Sequence, residues 1–240
     1  MDVIVIAPHP DDELLTFGAY IKAHLNAGRR VHVHIAYDGT VTGATRNSGL
    51  QTIAPGITPE AVGRVRCMES YEGLVTLGVP PQDIHFEGVQ DGTGGSLDVA
   101  MDVVSRIVSR CGLDHDYATT SWADQHPDHA NLGRAVKALV PAARARYGVS
   151  PLYWPERPSG APSLVDWSSL AVQDGMPEPL AFYTLSTVED QQALKRALVR
   201  HKLQNYQQGR YGINWRFSVG PQFDFVYATT RSAYHRSVVA

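Results

Sequence analysis

A short apolar run, Val3 to Ala7, ends directly in a cluster of ionisable side chains, and this junction constrains the fold more than any other stretch. An uninterrupted apolar run closed by Pro8 and Pro10 is typical of a strand that is buried on both faces of a parallel sheet. Such a strand gains nothing from an imidazole and three carboxylates at its end unless a cation or a reaction uses them. The cluster consists of His9, Asp11, Asp12 and Glu13.

Strand-like and helix-like segments alternate after this junction, and the alternation predicts one α/β domain over residues 1–240. We expect a Rossmann-like three-layer sandwich with a mostly parallel central sheet and right-handed crossovers. Ligands of such sheets bind at the carboxyl ends of the strands, near the point where the strand order reverses. The predicted strands are 3–7, 30–37, 83–89, 116–121 and 180–185, with a short one at 151–154. The predicted helices are 14–26, 59–77, 97–111, 130–146, interrupted at Pro141, and 188–208.

Two stretches, 40–58 and 155–180, carry no clear element, and we expect them to be loops that shape a substrate site. Tyr153, Trp154 and Trp167 flank the second loop, where they either form an aromatic wall over a sugar ring or pack the loop. The tail of the chain is rich in aromatic residues and has strand-like pieces.

Charge and hydropathy exclude several classes of protein. A net charge of −3 and a pI near 6.3 give no basic field for nucleic acid. No apolar run approaches the roughly 18 residues of a membrane span, and no charged region typical of a signal peptide precedes the first strand. Cys67 and Cys111 do not form a disulfide framework. We therefore expect a cytoplasmic protein with a small-molecule partner, and a homo-oligomer is compatible with the sequence.

A second cluster, His126-Pro127-Asp128-His129, follows the predicted strand 116–121 and opens a helix, as the first cluster does. His9 and Asp12 are a sound pair of Zn²⁺ ligands, but a catalytic zinc needs a third protein ligand and an open position. A histidine of the second cluster would supply that ligand if strands 3–7 and 116–121 are neighbours in the sheet. The residues therefore predict a metal site at the rim shared by two strands.

The other ionisable groups of the two clusters then have chemical roles. A bound zinc lowers the pKa of its water to roughly 7, and Asp11 is placed to act as a general base toward that water. The histidine that does not bind the metal would donate to a developing oxyanion or protonate a leaving amine. Asp128 and Glu13 are candidates for the carboxylates that fix the imidazole tautomers.

Simpler interpretations exist for each of these residues taken alone. Acids at a helix start are common caps, although capping does not explain His9 beside them. The two histidines of the second cluster alone would suit a surface or a cap. His32 and His34 lie two residues apart on a predicted strand and fit a polar-packed strand face.

Together the two clusters resemble the motifs of the zinc-dependent deacetylase family that includes N-acetylglucosaminyl-phosphatidylinositol deacetylase (PIG-L) and the bacterial LmbE-like enzymes. The resemblance covers about residues 3–205 of the chain. Further matches to the family are Asp38-Gly39, Arg66 with Glu69, Leu77-Gly78, Asp91-Gly92, and Lys195, Ala197-Leu198, His201 and Gln204.

The resemblance implies one Zn²⁺, or Fe²⁺, held by His9, Asp12 and His129. It makes Asp11 the general base and His126 the group that stabilises charge in the tetrahedral intermediate. The implied reaction removes the N-acetyl group from an amino sugar of the N-acetylglucosamine type, or from a conjugate bearing one. Acetate and a free amine are the products.

The resemblance also places Arg66 and Asp91 against the sugar, whereas an i,i+3 helix pair and an ordinary turn explain the same residues without a ligand. Some family members carry a tyrosine two residues before the first histidine of the second motif, where it helps to polarise the carbonyl. Here Asp124 occupies that position. Either His126 and the metal suffice as the oxyanion site, or a tyrosine from elsewhere completes it.

Two other functions fit the same residues. One is an amidase of the same fold that acts on a different amide, such as a thiol–sugar conjugate or an antibiotic intermediate. The other is a metal-binding protein without catalysis, against which Asp11 argues because a structural site needs only ligands. A phosphate-binding Rossmann protein is disfavoured, because its first turn would be rich in glycine.

Overall fold

A computed structural model describes residues 1–124, 126–149, 181–205, 210–218 and 220–236 of the chain. The strands are β1 (Val3–Ala7), β2 (Val31–Tyr37), β3 (Ile84–Val89), β4 (Asp116–Thr120), β5 (Ala145–Gly148), β6 (Ala181–Thr184) and β7 (Arg231–Arg236). The helices are α1 (Asp12–Leu15), α2 (Gly18–Asn26), α3 (Ser48–Ile53), α4 (Pro59–Leu77), α5 (Leu97–Cys111), α6 (Pro127–Leu139), α7 (Val188–Arg200) and α8 (Gly220–Thr229). Short 3₁₀ helices span Gly43–Arg46 and Pro81–Asp83, and a π-helical turn spans Asn214–Ser218.

Within the described residues, the strands form one seven-stranded sheet in the order β3-β2-β1-β4-β5-β7-β6. The first five strands of that order run parallel. Strand β7 lies between β5 and β6 and is antiparallel to both. This arrangement confirms the predicted α/β fold with a mostly parallel sheet. It also meets the condition set by the two sequence clusters, because β1 and β4 are hydrogen-bonded neighbours.

Strand β1 is apolar on both sides, and all five of its residues are buried. Both faces of the sheet therefore need a covering layer, which the helices provide. Val3, Val5 and Ala7 pack on one face with residues of α2, α4 and α7. Ile4 and Ile6 pack on the other face with residues of α5 and α6. The chain order reverses between β1 and β4, so the crevice at their carboxyl ends is where a fold of this kind binds ligands.

The predicted helix 130–146 is wrong beyond Leu139. Helix α6 ends there, Pro141 follows, and the chain turns into β5. Because Pro141 has no N–H to continue the helical hydrogen bonds, the apolar residues beyond it form a strand instead. The sequence of this short segment does not distinguish a strand from a helix. Tertiary packing decides for a strand, in which Ala145 and Tyr147 are fully buried.

Other element boundaries also differ from the sequence-based expectations. The predicted helix 14–26 is divided into α1 and α2, and the predicted helix 188–208 ends at Arg200. The stretch 40–58 contains a 3₁₀ helix and α3, and the tail contains α8 before β7. The remaining predicted strands and helices lie where the sequence places them, to within one or two residues at each end.

Some expectations concern residues outside the described ranges. They are the strand at 151–154, the loop 155–180, and the aromatic residues Tyr153, Trp154 and Trp167. In the part of the chain that is described, no helix combines the length and the hydropathy needed to cross a membrane.

Helix α6 lies directly on the end of β4 at Gly133. A Cβ atom at this position would lie 2.5 Å from the backbone nitrogen of Trp122 and 2.6 Å from the carbonyl oxygen of Thr120. Real Cβ atoms do not approach backbone so closely, and backbone cannot move aside as a flexible side chain does. The glycine therefore sets how closely α6 approaches β4, and with it the position of His129 one turn earlier.

Replacing Gly133 with alanine should destabilise the protein by about 1–3 kcal/mol, the usual cost of overpacking. Alanine is the better helix former by up to about 1 kcal/mol, so helix propensity alone predicts that the substitution stabilises the protein. Urea unfolding measures the difference. Gly95→Ala is the control, because a Cβ at Gly95 meets no atom within 4 Å. Equal stability of the two variants would contradict the close approach of α6.

Candidate active site

The two sequence clusters meet at the carboxyl end of the sheet, where four neighbouring strands each contribute residues. His9, Asp11 and Asp12 follow β1, and the second cluster follows β4. Tyr37 ends β2, and Asp91 follows β3. The side chains of His9, Asp12 and His129 are buried, and one potential ligand atom from each lies within 4.8 Å of the others. The topology therefore assembles residues that are more than 100 positions apart in the chain.

Asp12 is the central residue of this group. Its Oδ2 atom lies 3.2 Å from Nδ1 of His9 and 3.2 Å from Nε2 of His129. The same oxygen accepts a hydrogen bond from the backbone N–H of His9 at 3.2 Å, which fixes its position on the first turn of α1. One carboxylate oxygen thus faces two imidazole nitrogens at equal distance.

The second nitrogen of each imidazole faces a different carboxylate. Nε2 of His9 lies 3.1 Å from Asp128 and 3.3 Å from Asp91. Nδ1 of His129 lies 3.1 Å from Oδ2 of Asp124. This is the arrangement that orients metal-binding histidines in proteins, where the nitrogen away from the metal donates to a carboxylate.

The charges of these carboxylates shift the pKa of both imidazoles. Burial alone would lower the pKa of His129, but Asp12 and Asp124 outweigh burial and raise it to about 9. Burial would also lower the pKa of His9, but hydrogen bonds to Asp12, Asp128 and Asp91 outweigh burial and raise it. Burial would raise the pKa of Asp12, but the two histidines lower it well below its usual range. The site therefore favours positive charge at the point where the three side chains meet.

A divalent metal ion fits this donor set. Zinc bonds of about 2.0–2.2 Å to nitrogen and oxygen place tetrahedral ligands about 3.3–3.5 Å apart, close to the 3.2 Å that separates Asp12 from each imidazole. In addition, Oδ1 of Asp12 is buried and makes no hydrogen bond with the described residues. Two imidazoles and a carboxylate are ligands that both Zn²⁺ and Fe²⁺ accept.

The charge balance of the site also calls for a cation. Five buried or half-buried carboxylates surround the two imidazoles, and within the described ranges Arg66 is the one Lys or Arg that forms an ion pair with any of them. Unpaired buried charge is costly. The five carboxylates are those of Asp11, Asp12, Asp91, Asp124 and Asp128.

A second group of possible ligands shares His9. It consists of His9, His126 and Asp128, again with atoms within 4.8 Å of one another. His126 is half-buried, whereas the three members of the first group are all buried. The second group therefore lies on the solvent side of the first.

Asp11 precedes α1 but does not cap it, because its side chain makes no capping hydrogen bond. Instead its Oδ2 atom accepts a hydrogen bond of 3.0 Å from Nη2 of Arg66. Burial raises the pKa of Asp11, and the opposing charge of Arg66 limits the rise. The carboxylate is thus held by a buried guanidinium immediately beside the group of possible metal ligands.

Gly39 allows Arg66 to take this position. Its carbonyl oxygen accepts from Nη1 of Arg66 at 2.8 Å. A Cβ at Gly39 would lie 2.9 Å from that same nitrogen and from Pro10, and the φ of +70° is one that side chains rarely adopt. The turn after β2 therefore requires glycine for both conformational and steric reasons.

His126 and Tyr37 border the site on its other sides. The ring of His126 lies 5.2 Å from that of His9 and 4.9 Å from that of His129, measured between centroids. Burial, followed by the charges of His129 and His9, lowers the pKa of His126. Tyr37 lies with its ring 5.6 Å from His9, and its hydroxyl is buried.

All seven residues that the sequence assigns to the site lie together in the structure. Of the two carboxylates expected to orient imidazoles, Asp128 contacts His9, whereas Glu13 is turned away and lies 3.6 Å from Nε2 of His201. The contact of Asp124 with His129 was not anticipated. The signal was present, because a ligating histidine needs a carboxylate partner and Asp124 is five residues from His129.

Comparison with known proteins identifies a matching family and a curated relative. The family described as PIG-L: GlcNAc-PI de-N-acetylase matches residues 4–140. A curated relative from Bacillus cereus, a probable N-acetyl-alpha-D-glucosaminyl L-malate deacetylase 2, is 28% identical over 141 residues. That match spans 58% of this chain and 60% of the relative, which is less than two thirds of the relative's length.

Solved structures share the fold of the described part of the chain. A triple mutant of a deacetylase of the teicoplanin biosynthetic pathway covers 100% of both chains with a TM-score of 0.60 and 19% identity. GalB, the 4-carboxy-2-hydroxymuconate hydratase of Pseudomonas putida, has a TM-score of 0.60 with 15% identity and covers 100% of this chain and 97% of its own. Likeness at these identities shows the fold alone, and the fold serves both named activities.

Proposed function

The chain belongs to the PIG-L family, as the two sequence clusters predict, and we propose that it hydrolyses the N-acetyl group of an amino sugar with the help of a bound divalent metal ion. The substrate is of the N-acetylglucosamine type or is a conjugate that carries such a sugar. One observation carries the proposal: Oδ2 of Asp12 lies 3.2 Å from a nitrogen of His9 and of His129, immediately beside the buried carboxylate of Asp11.

In this proposal His9, Asp12 and His129 hold the ion, which is Zn²⁺ or alternatively Fe²⁺. A bound ion of this kind polarises a carbonyl oxygen and lowers the pKa of water to about 7. Asp128 and Asp124 accept hydrogen bonds from the far nitrogens of the two histidines and so select the tautomers in which the near nitrogens are free to bind.

Asp11 is the proposed general base. It accepts a proton from the attacking water as the water oxygen bonds to the amide carbon, and it delivers that proton to the amine nitrogen as the C–N bond breaks. Acetate and the free amine are the products. Nη2 of Arg66 donates to Oδ2 of Asp11 at 3.0 Å and so orients the carboxylate.

His126 is proposed to stabilise the oxyanion of the tetrahedral intermediate. Burial and the charges of His129 and His9 lower its pKa, which favours the neutral ring, and a neutral imidazole still donates one N–H. Asp91, whose Oδ2 accepts from the backbone N–H of Val41 at 3.0 Å, lies where the loop after β2 meets the site and is proposed to contact the sugar. Arg66 is likewise proposed to contact the sugar, through the N–H groups that remain after its three hydrogen bonds to Asn214, Gly39 and Asp11.

Acetate release tests the proposed reaction. The metal-loaded protein is incubated with N-acetylglucosaminyl malate, diacetylchitobiose, an N-acetylglucosaminyl inositol, a thiol-linked sugar and a teicoplanin-type pseudoaglycone, and acetate and free amine are measured together. We expect equimolar acetate and amine from at least one amino sugar. Release from another amide alone would assign the chain to the amidase alternative. No release from any of them, with metal bound, would overturn the proposed reaction.

Asp124→Ala should weaken metal binding about 10- to 100-fold, the usual effect of removing a carboxylate that orients a ligating histidine. Competition with a coloured chelator measures the dissociation constant. Asp102→Asn is the control, since Asp102 is an exposed acid on α5 that pairs with Arg106. An unchanged affinity in Asp124→Ala would show that the contact with His129 does not matter for the ion.

A further inference from the structure

Asn214 is a buried amide with every polar group engaged, and it reaches the first cluster from the far end of the chain. Its side-chain oxygen accepts from Nε of Arg66 at 2.6 Å. Its side-chain nitrogen lies 2.5 Å from the carbonyl oxygen of Pro10 and 2.9 Å from Nδ1 of His201. The residue is fully buried. It lies beyond the part of the chain that matches the family, and its sequence context gives no motif.

The partners of Asn214 fix the orientation of its amide. Arg66 only donates hydrogen bonds and the Pro10 carbonyl only accepts them, so the oxygen has to face Arg66 and the nitrogen has to face Pro10. Burial, followed by the charge of Arg66, lowers the pKa of His201 to about 3, so the ring is neutral and its Nδ1 accepts. Both amide hydrogens are therefore used, and the side chain has one possible orientation.

The backbone around Asn214 is held just as firmly. The carboxylate of Glu69 on α4 accepts from the N–H of Ile213 at 2.7 Å and from the N–H of Asn214 at 3.1 Å. Asn214 begins a π-helical turn, a conformation that is often found at functional sites. A separate ion pair between Arg210 and Glu72 ties the same segment to α4 nearer the surface.

These contacts determine where the guanidinium of Arg66 points. Asn214 fixes Nε and the Gly39 carbonyl fixes Nη1. Two fixed donors set the plane of a guanidinium and its rotation within that plane. The third donor, Nη2, then lies 3.0 Å from Oδ2 of Asp11.

We propose that Asn214 is a positioning residue, which acts through Arg66 to hold the carboxylate of Asp11 in its working orientation and through Pro10 to hold the turn that carries it. This inference rests on the proposed function only in taking Asp11 as the general base. It adds that catalysis depends on a segment outside the two motifs, and that this segment acts on the base and not on the metal.

The kinetic test uses Asn214→Ala, with metal content and KM measured beside kcat. We expect kcat to fall about 10- to 100-fold, as displacements of about 1 Å do at reacting groups, with KM changed less than about threefold and bound metal unchanged. In an Asp11→Asn background the same substitution should cost less than about twofold, because residues that act through one another are not additive. Equal losses in both backgrounds would overturn the proposal.

Two further variants separate positioning from general loosening. Asn214→Asp keeps the size of the side chain, and so guards against a failure of Asn214→Ala to fold, but it turns an oxygen toward the Pro10 carbonyl. It should lose activity similarly. Glu72→Gln breaks the Arg210 ion pair of the same segment and should keep at least half of kcat. A fully active Asn214→Asp would contradict the proposal.

The positioning role of Asn214 can also be tested without a substrate, by measuring hydrogen exchange of the backbone around Asp11. Hydrogen exchange followed by mass spectrometry should be faster in the peptide covering residues 8–15 in Asn214→Ala than in the wild-type chain or in Glu72→Gln. The backbone N–H groups of Leu14 and Leu15 bond to the carbonyl of Asp11 and report its fixation. Unchanged exchange there would refute positioning. If Asp11→Asn remained active, by contrast, the assignment of Asp11 as the general base would be wrong. The role of Asn214 in fixing the position of Asp11 would be judged by hydrogen exchange alone.

Discussion

Asp11→Asn should remove nearly all turnover while leaving the bound metal in place. The substitution keeps the size of the side chain but removes its ability to accept a proton, and a positioned general base usually contributes about 10²- to 10⁴-fold. Asp11 is not one of the three residues whose ligand atoms converge, so the metal content should stay at the wild-type level. Steady-state kinetics and elemental analysis of the same preparation measure both quantities.

The control for this variant has to account for the ion pair that it weakens. Asp11 pairs with Arg66, and removing one charge of a buried pair destabilises a protein by itself. Asp83→Asn is the control, because the buried carboxylate of Asp83 pairs with the exposed Arg30 at 2.6 Å at the opposite end of the sheet. It should reduce stability and keep its activity. Substantial turnover in Asp11→Asn, or an equal loss in Asp83→Asn, would remove Asp11 from the proposed mechanism.

Metal binding should raise the melting temperature of the chelator-treated protein by about 8–16 °C. At a free concentration of 1,000 times the dissociation constant, an ion that binds the native state alone adds about 4 kcal/mol. For a chain of this length each kcal/mol shifts the melting temperature by about 2–4 °C. The physical source is the set of buried carboxylates at the carboxyl end of the sheet, which an ion neutralises. Thermal scans with increasing Zn²⁺ measure the shift.

His129→Ala should abolish most of this shift, because it removes a buried nitrogen that faces Asp12 at 3.2 Å. His85→Ala is the comparison. His85 stacks on His34 with ring centroids 4.5 Å apart, on β2 and β3, and away from the three convergent ligand atoms. It should leave the shift intact. A shift that survives in His129→Ala and disappears in His85→Ala would place the stabilising ion at the strand histidines.

The fold was predictable from sequence wherever a local pattern determined the element. Strand β1 and helix α5 follow from uninterrupted or periodic apolar residues, and the ends of α4 follow from Pro59 and Gly78. Strand β5 was missed because its four residues carry no period of their own and continue the spacing of α6. Its identity is decided by burial between β4 and β7, which is a tertiary effect.

The candidate site divides in the same way. The residues expected to bind metal and move protons lie in two compact clusters, so their roles could be predicted from their spacing in the sequence. The residues that hold Asp11 could not be predicted in this way, because they come from other elements. Asn214 lies 148 residues from Arg66, and Arg66 itself lies 55 residues from the carboxylate that it holds. Contacts at such separations depend on the topology of the whole sheet.

The position of β7 between β5 and β6 has a consequence for the order in which the molecule is completed during synthesis. The first cluster is synthesised before Asn214, which follows Pro10 by 204 residues, and strand β5 has an open edge until β7 is synthesised. Asn214 comes before α8 and β7 in the chain, so Arg66 and the Pro10 carbonyl lack their partner until nearly all of the described chain has been synthesised. Domains tend to fold as units, and here the unit includes β7, which lies between β5 and β6. The nascent chain therefore carries its motif residues long before it acquires a finished site.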